Sequence, residues 1–330
     1  MRRPVWVPDN YILMLVGTVV LATLLPASGD LAVVLRHVTT VAIGLLFFLH
    51  GAKLSREAIV AGLMHWRLYL AVFACTFVLF PILGLVLRPV LEPLVNPELY
   101  LGILFLCFLP STVQSAIALT SMARGNIPAA ICCASGSTLL GVFVTPFFVG
   151  LWVSPQAAEM SAWSSIARIF MQLMLPFLVG HLMRPWLMKW MMRSGKLLTV
   201  VDRGSILLVV YTAFSAAVLQ GLWSIVPVSA LVGLVVICIV FLIISLGAAY
   251  WLGRAMGLDR GDQIAMMLAA SQKSLASGVP MAQVLFASSV VGLMVLPLML
   301  YHQIQLMVTA VLAQRWGERS AAEAAETQAK

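Results

Sequence analysis

Apolar residues run through this chain in blocks of about twenty, the length a helix needs to cross a bilayer, and the charged residues collect in the short gaps between them. Ten such blocks are predicted, at 11–26, 31–51, 66–87, 99–123, 128–153, 166–187, 206–223, 228–255, 263–286 and 289–314. Two of them are interrupted. In the fourth, Pro110-Ser111-Thr112-Val113-Gln114-Ser115 separates two apolar flanks; in the ninth, Ser271-Gln272-Lys273-Ser274 leads into Leu275-Ala276-Ser277-Gly278-Val279-Pro280. Each flank is too short to span alone, so each block reads as one broken helix. The interruptions hold the same place in successive groups of five spans, and paired breaks of this kind point to a transport site between repeats. Five-helix halves must insert with opposite topology. The expectation is therefore an all-α polytopic membrane protein of ten transmembrane helices in two inverted five-helix repeats, 1–161 and 162–317, with a mobile cytoplasmic tail at 318–330.

Lys273 carries most of the chemical interest. A lysine near the bilayer centre costs about 3 kcal/mol on insertion scales, so it must face protein or a water-filled cavity. Two plainer readings stand beside a functional one. The side chain can snorkel to an interface from a shorter helix, or it can hold the broken helices together without touching a substrate.

Composition agrees with the pattern: 62% of residues are hydrophobic and 10% charged, where a soluble domain carries about 25% charged residues. The five cysteines lie inside apolar blocks and read as packing residues, with neither disulfide nor metal spacing. The net charge of +8 is a topology signal, because cytoplasmic loops hold the excess of Lys and Arg. With the N-terminus inside, sixteen of the twenty basic residues are cytoplasmic; Arg36, Arg88 and Arg168 fall near the outer side and Lys273 lies within a span. Both termini are then cytoplasmic, and the expected location is a plasma membrane, specifically a bacterial inner membrane. No nucleic acid is expected as a partner. An enzyme would need a carboxylate pair or a His-Glu-x-x-His run at membrane depth, and neither is present.

At this point the chain resembles the bile acid:sodium symporter superfamily, solute carrier family 10, and within it the branch of member seven and its bacterial relatives. The matching runs are Phe47-Phe48-Leu49-His50-Gly51-Ala52-Lys53-Leu54-Ser55, Pro110-Ser111-Thr112-Val113-Gln114-Ser115, Gly125-Asn126, Val144-Thr145-Pro146, Gln272-Lys273-Ser274-Leu275-Ala276-Ser277-Gly278-Val279-Pro280-Met281, and Leu296-Pro297-Leu298-Met299-Leu300-Tyr301-His302-Gln303-Ile304-Gln305. The resemblance implies a panel domain of spans one, two, six and seven beside a core domain of the other six, with broken helices four and nine crossing in the core. It also implies two sodium sites in coupled members, built from a Ser-Asn pair, helix-five hydroxyls and a Glu-x-x-x-Gln run. Here the Ser-Asn pair falls on Gln114-Ser115, one of the helix-five hydroxyls falls near Ala134 and Ser135, and the Glu and Gln fall on Ser271 and Leu275.

The loss of the carboxylate matters. Of the twelve acids, none is expected at mid-membrane depth, and sodium prefers several oxygen ligands with a carboxylate nearby. The chain is accordingly expected to bind no cofactor and no metal, with sodium coupling in doubt. Lys273 offers a replacement, since half-helix C-termini present partial negative charge that a tethered ammonium can offset. The expected function is secondary active transport of a small organic anion by alternating access. The alternatives are a sodium-coupled symporter of the bile acid type and a non-transporting regulatory membrane protein. The candidate binding residues are Ser111, Thr112, Gln114, Ser115, Ser135, Ser271, Gln272, Lys273, Ser274 and His302. Expected partners are the lipid bilayer and the anion, with a homodimer left open.

Overall fold

The computed structural model describes residues 10–53, 66–153, 170–287 and 290–328. Arg2, Arg3, Asp9, Leu54, Ser55, Arg56, Glu57, Glu159, Arg168, Ser289 and Lys330 lie outside them, as do the start of the sixth block and the boundary at 161/162. Every regular element among the described residues is helical, and the principal helices are, in order, α1 (Asn10–Leu24), α2 (Gly29–Lys53), α3 (Trp66–Val86), α4 (Arg88–Leu94), α5 (Pro97–Phe108), α6 (Gln114–Met122), α7 (Ile127–Trp152), α8 (Leu175–Arg193), α9 (Gly195–Leu219), α10 (Val228–Ala255), α11 (Arg260–Ser271), α12 (Leu275–Leu285) and α13 (Val291–Gln328), with single turns at Phe170–Met174 and Leu222–Ile225. Six of these, α2, α3, α7, α9, α10 and α13, are long and apolar enough to cross a membrane by themselves. The fourth and ninth blocks are each two half-helices, α5 with α6 and α11 with α12, as their polar interruptions require.

Local signals set the half-helix boundaries. Asn96 caps α5, its side chain accepting from Leu99 N at 2.8 Å, with Pro97 in the first turn where no N–H is missed. Pro110 cannot donate a backbone hydrogen bond, and α5 ends two residues before it. Asp259 caps α11 by accepting from Asp262 N, and Ser274 caps α12 by accepting from Ser277 N at 3.1 Å. At the base of α7 and α11, Asn126 donates to the Asp262 carboxylate at 2.6 Å and to Gly261 O, tying the starts of the two helices together.

Two elements run further than hydropathy predicts. Helix α9 begins at Gly195, eleven residues before the expected span, so buried Asp202 sits inside a helix and not in a loop. Its carboxylate pairs with Lys53 at the end of α2. Helical backbone also continues along α13 to Gln328.

Helices α1, α2, α8 and α9 pack on one another, and α9 leans on α12 and α13 of the remaining helices. The α2–α8 crossing is fixed by two glycines used reciprocally. A Cβ at Gly51 would lie 1.9 Å from Phe177 O, and one at Gly180 would lie 1.9 Å from Phe48 O. Small residues that let backbones touch are the usual means of helix association in lipid. The main core lies deeper, where Phe80, Phe105, Phe108, Phe241 and Tyr301 are fully buried around the two breaks.

Candidate functional site

The site is the point where the two interruptions meet. A helix ends with four carbonyls that have no partner within it, and the end of α5 lies in a protein interior where water cannot supply donors. Most of the carbonyls at this end and in the break that follows are nevertheless matched. Leu106 O accepts from Leu109 N, Phe108 O from Thr145 Oγ1 at 2.7 Å, and Pro110 O from Ser274 N at 2.9 Å. The two left over, Cys107 O and Leu109 O, accept from Lys273 Nζ at 3.0 and 2.8 Å.

Lys273 makes one further bond. Residues Cys75–Leu79 of α3 form a single π-helical turn, and the Thr76 carbonyl within it accepts the third Nζ–H at 3.0 Å. The ammonium also lies 4.1 Å from the centre of the Phe80 ring, in reach of a cation–π attraction. Lys273 is fully buried. Among the described residues no carboxylate pairs with it. All three donors are used on neutral carbonyls, so the positive charge is offset by the partial charges at a helix end and a π turn. Snorkelling to an interface is excluded by this geometry.

The backbone of Lys273 is held as firmly as its side chain. Gln305 on α13 accepts from Lys273 N at 2.8 Å and donates to Lys273 O at 2.9 Å, a side-chain amide pairing with both polar groups of one residue. His302 Nδ1 lies 3.2 Å from Lys273 O and 2.9 Å from Gln305 Nε2. Tyr301 donates to Ser271 O at 2.7 Å.

A second polar group forms on the other side of the break. Thr112 and Ser115 both donate to Gln272 Oε1, at 2.6 and 2.7 Å. Gln272 is fully buried, yet its Nε2 has no partner. The first turn of α6 beside it has no side-chain cap. Unused donors therefore converge here, where an anion or a polar substrate group would be stabilised.

Away from the crossing, a cavity of about 610 Å³ lies between α2, α9 and the end of α12. Arg36, Thr39, Gln172, Thr212, Ser215 and Gln283 are among its lining residues.

A model of the SBF-like CPA transporter family matches residues 9–318. The chain belongs to that family. An uncharacterized protein of Pseudomonas aeruginosa is 59% identical over 97% of this chain and 96% of its own length. YfeH of Escherichia coli strain K12, whose name gives it as a candidate symporter, is 49% identical over 93% of this chain and 92% of its own. Sodium/bile acid cotransporter 7 of Danio rerio is 27% identical over 83% of this chain and 82% of its own. The resemblance to the member-seven branch is thus correct. This SBF-like chain is an integral membrane protein and a secondary transporter of a small-molecule substrate, not an enzyme.

Of the ten candidate residues, seven come together in this SBF-like core: Thr112, Ser115, Gln272, Lys273 and His302 as described, Ser111, which donates to Ala269 O, and Ser274, which caps α12. Ser271 sits at the break but turns its hydroxyl back to Met267 O. Gln114 is exposed at the start of α6, and Ser135 is half-buried on α7 outside these contacts. None of the ten lines the 610 Å³ cavity. Sequence reading missed Gln305, although it stands in the quoted run Tyr301–Gln305, and it missed the carbonyls of Thr76, Cys107 and Leu109, which no side-chain pattern can mark.

Proposed function

We propose that this chain is a sodium-independent secondary transporter of an organic anion, in which the Lys273 ammonium supplies the positive charge that a bound sodium ion supplies in coupled relatives. The observation that carries this is the Lys273 ammonium itself, coordinated by the carbonyls of Thr76, Cys107 and Leu109 with no carboxylate beside it among the described residues. Ser271 stands where the family has its glutamate, and its hydroxyl is committed to its own helix. A carbonyl cage already holding an ammonium has no room for a second cation. The names of several relatives include sodium cotransport, and the missing ligands argue against carrying that property over to this chain.

In this reading the two halves of the chain are inverted repeats, α1, α2, α8 and α9 form the panel, and the other helices form a core that moves against it. Support comes from the matched interruptions, from the separate packing of the two helix groups, and from α9 as their shared contact. Both termini face the cytoplasm of a bacterial inner membrane. The anionic group of the substrate meets the uncapped start of α6 and the free Nε2 of Gln272.

The test is uptake of a panel of labelled organic anions into proteoliposomes with imposed sodium or proton gradients. Saturable uptake should be unchanged when choline replaces sodium at constant ionic strength. A steep, saturable dependence on sodium would restore the symporter reading, and absence of uptake across the panel with intact protein would favour a regulatory role.

A further inference from the structure

Helices α8 and α9 are joined through the single residue Ser194, and Leu49 and Ala52 at the end of α2 share one buried cluster with Met191 of α8 and Leu198 of α9. The other faces of the two helices turn away from the protein. On α8, Leu182, Trp186 and Trp190 are exposed, Trp186 by 76%, and on α9 Leu197 and Val200 are exposed, Val200 by 66%. Arg193 and Lys196, on either side of Ser194, are exposed as well. This bend stands beyond the apolar block that hydropathy assigns to α9, because Gly195 lies eleven residues ahead of residue 206, about 16 Å along a helix that rises 1.5 Å per residue. An apolar face in that place needs a partner other than water.

The chemistry of this face selects the partner. Between Leu175 and Ser205 the chain holds five bases, Arg184, Lys189, Arg193, Lys196 and Arg203, and one acid, Asp202, which is buried and paired with Lys53. Trp186, Trp190 and Arg193 stand at i, i+4 and i+7 on one face of α8, and Lys196 and Val200 at i and i+4 on one face of α9. From Leu182 through Trp186 and Trp190 to Arg193 the order is apolar, aromatic, basic, which is the order of a bilayer from hydrocarbon through the interface to the phosphates. A second copy of this chain docked here would set Arg193 and Lys196 against like charges. A soluble phosphate would leave Trp186, Trp190 and Val200 in water. A phospholipid covers both kinds of surface, and the basic excess favours one with net negative charge.

We propose that the bend between α8 and α9 is a docking surface for an anionic phospholipid, whose phosphate pairs with Arg193 and Lys196 and whose acyl chains cover Trp186, Trp190 and Val200. Lipid held here anchors one end of α9, the helix that also touches α12 and α13. The surface draws its ligand from the bilayer and lies apart from the crossing of the broken helices, so it stands whichever substrate the chain carries.

The experiment uses the full chain in phosphatidylcholine nanodiscs that carry a minor fraction of lipid brominated on its acyl chains, either phosphatidylglycerol or phosphatidylcholine, and reads the quenching of tryptophan fluorescence. A Trp186→Phe/Trp190→Phe variant measured beside the parent separates the signal of these two rings from that of the other tryptophans. At equal mole fraction, brominated phosphatidylglycerol should be enriched about tenfold over brominated phosphatidylcholine at these rings. Arg193→Gln/Lys196→Gln should abolish the enrichment and Arg193→Lys/Lys196→Arg should keep it, with both variants eluting as the parent protein does. Glycerophosphoglycerol, the headgroup without its chains, should not displace the lipid. Equal quenching by the two lipids would mean an ordinary lipid annulus, and enrichment that survives in Arg193→Gln/Lys196→Gln would place the lipid on other bases. Displacement by glycerophosphoglycerol would mean a site for a soluble phosphate ester, and two rings quenched by neither lipid would mean that a second copy of the chain covers them. Each of these four results overturns the lipid surface, whereas sodium-dependent uptake would overturn the transport reading and leave the quenching result standing.

Discussion

A buried ammonium surrounded by neutral carbonyls is an unusual economy. Removing a charge from water is costly, and the cost is met here by three hydrogen bonds to groups that would otherwise be unpaired in an apolar interior. Each such bond removed leaves a buried acceptor unsatisfied, at about 1–3 kcal/mol. Replacing Lys273 by methionine keeps the stem and strands the carbonyls of Thr76, Cys107 and Leu109, so a net loss of about 2–4 kcal/mol is expected after the relief of desolvation. Arginine is a poor repair, since its larger planar fork cannot reproduce three donors from one nitrogen. Gln305→Ala should also destabilise, by about 2 kcal/mol, because both the N–H and the C=O of Lys273 lose their partner. Thermal unfolding in one detergent reads all three, and a Gln305→Ala midpoint equal to that of the parent chain would show that water replaces the amide. At this scale the sequence marked Lys273 by its cost, and the hydroxyls near it by their position. It could not mark backbone carbonyls, which every residue has and which only the fold selects.

Elements show a different division. The breaks in the fourth and ninth spans were legible, because Pro110 and the polar run at Ser271–Ser274 are incompatible with a continuous apolar helix, and their meeting is what makes the site. The π turn at Cys75–Leu79 was not, since nothing in its composition departs from an ordinary α-helical turn. The early start of α9 was also hidden, because hydropathy places charged Asp202 and Arg203 in a loop, whereas pairing with Lys53 lets the helix carry Asp202. At the α2–α8 crossing, Gly51→Ala should fail sharply, since a methyl group would lie 1.9 Å from a backbone carbonyl that cannot retreat without moving α8. Expression as aggregated or misassembled protein is the outcome to look for. Gly44→Ala on the same helix meets nothing within 4 Å and should be silent, so equal behaviour of the two variants would contradict the tight crossing.

For the whole molecule, the proposed alternating-access cycle requires the α9–α12 contact to open. Cysteines at Thr212 and Gln283, whose side chains meet across this contact, should be joined by a short bifunctional thiol reagent that reductant cleaves, and the link should reduce uptake to background until reductant restores it. Undiminished uptake with complete crosslinking would mean that this contact stays closed through the cycle. The family, the helical class and the transporter role were legible from motifs spread along the chain. The cavity was not, because it is assembled from α2, α9 and α12, which are remote in sequence. The central claim is that Lys273 is a tethered cation, and one comparison tests it most directly. Lys273→Ala removes atoms that n-propylammonium replaces one for one, whereas Lys273→Met leaves the channel of the stem filled. Thermal stability and uptake should fall in both variants, and millimolar n-propylammonium at constant ionic strength should restore the alanine variant alone, with choline inert. Parent-like stability and uptake in Lys273→Met would contradict the claim.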